Sequence, residues 1–280
     1  MTITYKSRFL ARAEIWYDNE PEQLRSVDWI LYQQRSQPVA GTRTIEHWTY
    51  AIDLTQSCKQ LLANLSKDTA SKIRRARERD KIACKFLDPR DPAVMKDFEK
   101  MYNAFAALIG RAPLNHRRME SMAAAGALDL SAAIDPQGNV LVYHLNYFDS
   151  QRATALESPS LYRTLSESAD RNLVGRANRY LTWAILLRYQ EQGLKCFDFG
   201  GWYSGSTDHK RLGINRFKEG FGGKVVREYQ CEQILTWKGW MVLRAAELFA
   251  RMKSYLTKSV EPATCRQPEL DHGRMPAPQF

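Results

Sequence analysis

The segment from Gly193 to Tyr229 constrains this chain more than any other part of the sequence. A short apolar run ends in Asp198-Phe-Gly-Gly201, and after a polar loop the chain continues with Phe217-Lys-Glu-Gly-Phe-Gly-Gly223. Glycine adopts backbone conformations that other residues adopt only at a cost, so these runs predict turns that present the residues between them. We therefore expect a cleft here, with Arg216 and Lys218 at its mouth.

The composition predicts a globular protein with an anionic partner. The chain has 280 residues, 44% of them hydrophobic, which suits one large or two small domains. The formal net charge of +10 favours phosphate, nucleic acid or lipid head groups as partners. No run approaches the roughly 18 apolar residues of a membrane span, and the first residues lack the apolar block of a signal peptide. These features predict a cytoplasmic protein.

Several classes of site are not indicated. The five cysteines are scattered and form no Cys-x-x-Cys pair, so we expect neither a disulfide framework nor a metal site. Asp198-Phe-Gly is not accompanied by the glycine-rich and His-Arg-Asp loops of protein kinases, and no Gly-x-Ser-x-Gly hydrolase turn occurs. No permanently bound cofactor is expected.

The hydrophobic pattern predicts alternating helices and strands. Residues 57–81 have the spacing of a helix pair with one strongly basic side, and residues 92–125 that of two helices separated by Pro113. The runs 128–134 and 140–148, joined by a Pro-x-Gly turn, predict a hairpin, and residues 153–157 a further strand. A helix over 177–192 and a strand over 194–199 complete the series.

The segment Gly193 to Tyr229 resembles the FemAB-like branch of the GNAT acyltransferases, whose signature couples an Asp-Phe-Gly-Gly strand end with a Phe-Lys-x-x-Phe-Gly-Gly run. The resemblance covers about residues 45–235. It implies an α/β (α+β) fold, a GNAT-like mixed sheet flanked by helices. The implied catalytic domain spans residues 91–235, and a reduced GNAT-like half with the basic helix spans residues 1–90.

The same resemblance implies binding residues. The family's basic helix is similar to Ala70–Arg77, in which Lys72, Arg74, Arg75 and Arg77 would bind the phosphates of a substrate. Arg216, at the mouth of the expected cleft, is a further candidate for substrate binding. The family's coenzyme A loop precedes its central helix, and here Asn172, Gly175, Arg176 and Ala177 occupy that place, with Asn in the first position. Backbone amides at a helix start would hold the pyrophosphate of an acyl-CoA co-substrate.

Acyl transfer to an amine needs a proton acceptor and a group that stabilises the oxyanion. The candidate bases are Glu157 on a strand facing the central helix, His144 on the neighbouring strand, and Asp198. Lys218 matches the lysine of the family's Phe-Lys pair, which contacts donor phosphate or the polarised carbonyl. Tyr203 is a candidate general acid from its location alone.

The C-terminal part predicts an amphipathic helix and a disordered tail. Residues 236–258 carry a Trp-rich apolar stripe beside cationic residues, which fits packing on the domain or peripheral contact with an anionic membrane through 237–256. Residues 259–280 are rich in proline and are expected to be disordered. A membrane contact would place the protein at the inner face of the membrane.

These observations lead to three functional hypotheses. The first is an N-acyltransferase that moves an acyl group from a thioester, acyl-CoA by preference, to an amine of a cell-envelope sugar or peptide intermediate, either a small molecule or a lipid-linked one. The second is a FemAB-type peptidyltransferase that uses aminoacyl-tRNA. The third is a non-catalytic GNAT-like module that binds nucleic acid or an anionic membrane. Neither a catalytic cysteine nor a catalytic serine is apparent, which favours direct attack by the amine.

Overall fold

The computed structural model describes residues 2–7, 9–21, 24, 26–245 and 248. Up to residue 236 these residues form ten strands, six α-helices and one short 3-10 helix. In chain order they are β1 (Thr2–Ser7), β2 (Leu10–Trp16), β3 (Trp29–Arg35), β4 (Arg43–Asp53), α1 (Cys58–Asn64), α2 (Lys67–Glu78), β5 (Ala83–Leu87), α3 (Pro92–Leu108), α4 (His116–Ala124), β6 (Leu128–Ile134), β7 (Val140–Phe148), β8 (Arg152–Glu157), the 3-10 helix (Leu161–Arg163), α5 (Ser168–Glu191), β9 (Cys196–Gly201), α6 (His209–Glu219) and β10 (Lys224–Ile234).

All ten strands belong to one mixed sheet with the order β1-β2-β3-β10-β4-β9-β8-β7-β6-β5. Strand β10 lies between β3 and β4, so it pairs with two strands from the first 53 residues of the chain. Strand β5 instead pairs with β6 at the far edge of the sheet. In the sheet, β5 therefore pairs among the later strands and β10 among the earlier ones. The domain boundary at residue 90 stays a prediction.

Helices cover both faces of the sheet. Alternate residues of a strand point to opposite faces, and in β7 the side chain of Val142 faces α1, α2 and α5, whereas Tyr143 and Leu145 face α3 and α4. A smaller cluster of buried side chains lies between β2, β3 and β10. This arrangement confirms the predicted mixed sheet flanked by helices.

Most of the predicted elements are present. The helix pair over 57–81, the two helices around Pro113 and the hairpin of β6 and β7 are confirmed within one to four residues at most ends. The main exception is α5, which begins at Ser168 instead of residue 177. The extra helical turns include the residues predicted to form the coenzyme A loop, as described below.

The glycine run after α6 has a packing role. Gly222 has φ +76°, and a Cβ there would overlap the main chain of Asn64 at the end of α1. The carbonyl of Gly220 accepts a hydrogen bond from the N–H of Ser66, which caps α2. The run therefore fixes the connection between α1 and α2 against the end of α6, because only glycine allows this close approach.

The chain divides after Thr236, and the second unit is described by itself. Residues 237–245 are helical, as predicted for the start of the amphipathic helix, and the guanidinium of Arg244 lies 5.3 Å from the ring centroid of Trp240. The predicted tail over 259–280 and most of residues 246–258 lie outside the described residues. Among the helices that are described, none combines the length and apolar character needed to cross a bilayer.

Candidate functional site

The site is built around a β-bulge at the end of β9. Between the pairs Thr49–Gly201 and Ala51–Asp198, two residues of β9 oppose a single residue of β4. Gly200, one of the two, has φ +71°, a conformation that favours glycine. The neighbouring parallel strand β8 pairs with β9 at only three positions, Arg152 to Thr154, so the ends of the two strands are not joined by a ladder. The Asp-Phe-Gly-Gly run thus forms a kinked strand end.

Two charged side chains hold the bulge in place. Lys218 Nζ donates hydrogen bonds to the carbonyls of Gly200, at 3.0 Å, and Gly201, at 2.5 Å. Asp198 Oδ1 accepts one from the N–H of Gly200 at 2.5 Å. Lys218 is only 6% exposed, and burial lowers its pKa to about 8, an effect that the charge of Asp198 opposes. Lys218 is therefore a buried positioning residue, not the residue at the mouth of a cleft that the sequence predicted.

Arg152 connects this bulge to β10. Its guanidinium pairs with the fully buried Asp198, and it donates to Glu228 Oε1 at 2.6 Å. Burial raises the pKa of Glu228 to about 7, although Arg152 opposes this shift. The ring of Tyr17 lies 4.7 Å below the guanidinium carbon. We call Arg152, Asp198, Lys218 and Glu228 the ionic cluster.

A cavity of about 520 Å³ lies beyond the bulge. We call it the bulge cavity. Its walls come from β4, the loop after β9, and α6. The lining residues are Glu46, His47, Trp48, Gly201, Trp202, Tyr203, Ser204, Arg211, Ile214 and Asn215.

His47 is the titratable group between the cavity and the ionic cluster. Burial lowers its pKa below the usual 6.5; the charges of Lys218 and Arg152 act in the same direction, and Asp198 opposes them. A histidine with a lowered pKa is neutral at pH 7 and has a nitrogen that can accept a proton. His47 therefore has the properties of a general base at the floor of the cavity.

Asn215 fixes the loop that forms the opposite wall. Its side chain accepts from the N–H of Tyr203 at 3.2 Å and donates to the carbonyl of Tyr203 at 2.7 Å. The predicted acid Tyr203 reaches the cavity, where its hydroxyl accepts a hydrogen bond from the N–H of Asp208 at 3.4 Å. Arg216 is exposed and lines neither this cavity nor the one at α2 described below.

Comparison with solved structures shows that the chain has a known fold. FemX superposes with a TM-score of 0.60 at 12% identity, over 86% of this chain and 85% of FemX. The C-terminal domain of a putative lysylphosphatidylglycerol synthetase from Agrobacterium fabrum gives 0.54 at 15% identity, over 88% and 84%. L-PGS from Bacillus licheniformis gives 0.51 at 10% identity, over 86% and 83%. The chain has the FemAB-like GNAT fold.

This likeness confirms the fold that the Gly193–Tyr229 segment implies. No family model matches the sequence, and no curated protein matches it. At 10–15% identity the FemAB-like GNAT fold is what the chain shares with these structures. Chemistry must be argued from the side chains of this chain.

In this FemAB-like GNAT fold, the predicted coenzyme A loop is not a loop. Asn172, Gly175, Arg176 and Ala177 lie within α5, so their amides belong to the helix and not to its free start. Arg176 also pairs with Asp80 at 2.5 Å, and Ala177 is fully buried. That prediction is wrong in its geometry because the polar turns before residue 177 are helical.

The true start of α5 does not fit a pyrophosphate either. The residue that caps the helix is Glu167, and Asp170 lies in the first turn. Carboxylates at a helix N-terminus interact favourably with its dipole and repel a further anion. The residues present at this position therefore do not fit coenzyme A phosphate, and the acyl-CoA prediction has no phosphate site there.

Two of the predicted bases lie away from the bulge cavity. Glu157 does not face the central helix: Tyr102 of α3 donates to it at 3.4 Å and Arg111 at 3.3 Å. A bulge between β7 and β8 just before Glu157 changes the face on which its side chain lies. His144 does face α5, where its Nε2 lies 2.7 Å from Asn178 Oδ1, but it is only 4% exposed. Neither side chain lines the cavity.

His144 predicts a pH dependence of stability. Burial lowers its pKa from 6.5 to about 4, so the unfolded chain binds this proton first, and the stability present above pH 6.5 is lost as the pH falls towards 4. We expect acidification over this interval to remove about 3 kcal/mol of unfolding free energy in the wild type beyond the loss in His144→Gln. Urea unfolding at several pH values measures the difference, with the exposed His116→Gln as control. Parallel curves for wild type and His144→Gln would contradict the assignment.

The basic helix α2 borders a second cavity, of about 480 Å³. Of the predicted binding residues, Arg74 and Arg77 line it together with Lys67, above a floor that includes Trp183. Lys72 instead pairs with Asp68 at 2.8 Å, and Arg75 lies 3.8 Å from Asp80. The basic residues of α2 therefore differ in whether a neighbouring carboxylate neutralises their charge.

Four residues of the candidate site were not predicted from the sequence: His47, Arg152, Asn215 and Glu228. Arg152, Glu228 and His47 come from β8, β10 and β4, which are far apart along the chain. Local patterns carry no signal for them. For Asn215 a weak signal existed, since a buried position in α6 carries a polar residue between Gly213 and Phe217.

Proposed function

We propose that this protein is an acyltransferase whose acceptor is an amine bound in the bulge cavity, with His47 as the general base. The observation that carries the proposal is the position of His47, neutral at pH 7, beside Gly201 at the floor of an open cavity. The aromatic walls formed by Trp48, Trp202 and Tyr203 suit an organic acceptor more than a free ion. The proposed acceptor is an amine of a cell-envelope sugar or peptide intermediate, soluble or lipid-linked.

The proposed reaction is direct attack. The amine nitrogen forms a bond to the acyl carbonyl carbon, and His47 takes the proton that the nitrogen loses. The tetrahedral intermediate then collapses, the bond from carbon to the donor's oxygen or sulfur breaks, and the proton passes from His47 to that leaving atom. Lys218 does not line the cavity, so its role here is to hold the strand end that forms the cavity floor.

For the donor, the charge distribution supports an aminoacyl ester of tRNA over an acyl-CoA. The start of α5 is acidic, whereas α2 carries three exposed arginines, Arg74, Arg75 and Arg77, of which Arg74 and Arg77 line one cavity. Such a surface suits a polyanion that makes many phosphate contacts. The name of the Agrobacterium fabrum protein, a lysylphosphatidylglycerol synthetase, describes a product that carries an aminoacyl group. The thioester donor, which the sequence analysis placed first, becomes the alternative.

The donor is tested by thermal-shift titration at fixed salt with aminoacylated tRNA, uncharged tRNA, coenzyme A and acyl-CoA. We expect saturable stabilisation by tRNA, because a ligand that binds only the folded state raises the melting temperature. Stabilisation by acyl-CoA alone would reverse the donor assignment. Binding of tRNA without any transfer to amines would favour the third hypothesis, a non-catalytic module.

The α2 surface is tested by the variant Arg74→Ala/Arg75→Ala/Arg77→Ala. We expect weaker tRNA binding and a slope of log affinity against log salt that falls by about 1 for each lost phosphate contact. The matched control is Lys85→Ala/Lys96→Ala/Lys100→Ala, which removes the same charge from exposed positions on β5 and α3. Equal slopes for the two triple variants would show that α2 is only a solvated surface.

The proposed location is the cytoplasm, with peripheral contact at an anionic membrane through residues 237–256. This segment starts with Trp237, Lys238 and Trp240, a combination that suits a lipid head-group boundary.

A further inference from the structure

Strand β4 continues past the end of its neighbour β9. Strand β10 pairs with β4 from Arg43 to Ala51. Strand β9 pairs with β4 only from Thr49 onward. Among the residues that the structure describes, residues 43–48 therefore have a strand on one side only, and we call this stretch the open edge.

The main-chain groups of the open edge have a known direction. Trp202 N–H donates to the carbonyl of Trp48 at 2.6 Å, so the main chain of Trp48 faces the β9 side. Because alternate residues of a strand direct their N–H and C=O to the same side, Glu46 and Thr44 face that side too. Within the described part of the chain, no group bonds to the main-chain N–H or C=O of Glu46 or Thr44 on that side. Four strong hydrogen-bonding groups are thus available in a row.

The open edge has only part of the usual protection of an edge strand. It carries the charged residues Arg43 and Glu46 but contains no proline, and β4 pairs with β10 here without a register shift. Ile45 and Trp48 are exposed large apolar side chains on the edge, at 47% and 38%. An incoming strand would gain both main-chain hydrogen bonds and apolar contacts.

The surroundings leave space for one extended segment. The bulge cavity runs beside Glu46, His47 and Trp48, and its far wall is formed by Ser204 and α6. With two outward-facing residues the edge offers a short ladder, far from the roughly 800 Å² per partner of a stable protein interface. The occupant that fits is a short peptide and not a second copy of the chain.

We propose that the open edge binds an extended peptide by strand addition. The peptide would pair with β4 on the side of β9, in the position that a longer β9 would occupy. One end of this peptide then lies at Gly201, beside His47. This inference rests on the proposed function, since it specifies that the acceptor amine belongs to a peptide whose main chain is recognised by β4. Side chains of the peptide would lie against Trp48 and in the bulge cavity.

The test is an N-methyl scan of a fluorescein-labelled peptide, Ala-Ala-Lys-Ala-Ala, measured by fluorescence polarisation with the wild-type protein. In a strand, alternate N–H groups face the same neighbour, so methylation should weaken binding at least ten-fold at alternate positions and less than three-fold at the others. Uniform effects at all positions, or no saturable binding of the unmodified peptide, would overturn the proposal.

A variant pair tests the same contact from the protein side. Glu46→Pro removes the outward N–H, and proline is tolerated where an edge N–H faces solvent. Glu46→Ala removes the carboxylate but keeps the N–H. We expect Glu46→Pro to bind the peptide at least ten-fold more weakly than Glu46→Ala, and equal affinities would overturn the proposal. If Glu46→Pro does not fold, the N-methyl scan decides alone.

The scan also separates this inference from the proposed function, because it measures binding without turnover. A period-two pattern together with no acyl transfer would retain strand addition and reject the acyltransferase. Transfer to small amines with a flat N-methyl profile would do the reverse.

Discussion

Arg152→Met is expected to lower the free energy of unfolding by about 3–5 kcal/mol, because it leaves two buried carboxylates without their cation. Asp198 is fully buried and Glu228 is 5% exposed, and both pair with Arg152. Methionine retains most of the apolar stem, so the loss reports mainly the missing charge. Urea unfolding at pH 8, above the pKa of about 7 that burial gives Glu228, measures the full effect.

Two further measurements test whether the unpaired carboxylates cause this loss of unfolding free energy: its dependence on pH, and the stability of a double variant. At pH 6 Glu228 is mostly protonated, so Arg152→Met should cost less there than at pH 8. Arg152→Met/Glu228→Gln should regain part of the stability, since one of the two unpaired charges is gone. A loss under 1 kcal/mol, or one that is the same at both pH values, would show that the cluster is solvated.

The sequence predicts a helix or strand correctly when the residues of that element alone contain the full pattern of apolar and polar positions. In α3 the apolar residues Met95, Phe98 and Tyr102 recur at helical spacing, and in the structure these residues are buried. The hairpin of β6 and β7 has both alternating strands and a turn with Gly138 at φ +87°. Such local signals do not depend on what the element packs against.

The start of α5 could not be predicted in this way. Its first turns contain Ser168, Asp170, Arg171 and Asn172, which read as a loop because few apolar positions recur. All the buried residues of α5 lie from Val174 onward, and the polar turns before them belong to the same continuous helix. The predicted donor loop depended on this boundary, so an error of nine residues removed the site.

The sequence indicated the region of the candidate site, but the structure gives a different physical role to the residues that indicated it. The glycine runs around Lys218 do mark the site, but they act through a bulge at Gly200 and a close approach at Gly222. Lys218 points inward to the bulge carbonyls because α6 buries that face, while Arg216, two residues earlier, is exposed. The side chains that complete the site come from β4, β8 and β10, and only the folded sheet brings them together.

His47→Asn is expected to reduce kcat for acyl transfer by about 10²–10⁴-fold, the range typical of losing a general base. Asparagine cannot accept the proton, whereas the fold should be retained, since in the described residues the imidazole makes no hydrogen bond to another side chain. The wild type should show an acidic limb in kcat/KM with a pKa below 6.5, because burial and the charges of Lys218 and Arg152 favour the neutral ring. The variant should lack this limb.

Chemical rescue distinguishes a base from a merely structural histidine. His47→Gly leaves space beside Gly201, and added imidazole should restore part of its turnover, with a pH dependence that follows the added base. His116→Asn, an exposed change on α4, is the matched control and should retain wild-type turnover. Equal activity of His47→Asn and His116→Asn would remove His47 from the mechanism. Loss of activity in His47→Gly without rescue, together with a lowered melting temperature, would assign His47 to the stability of the cavity floor, where it adjoins the ionic cluster.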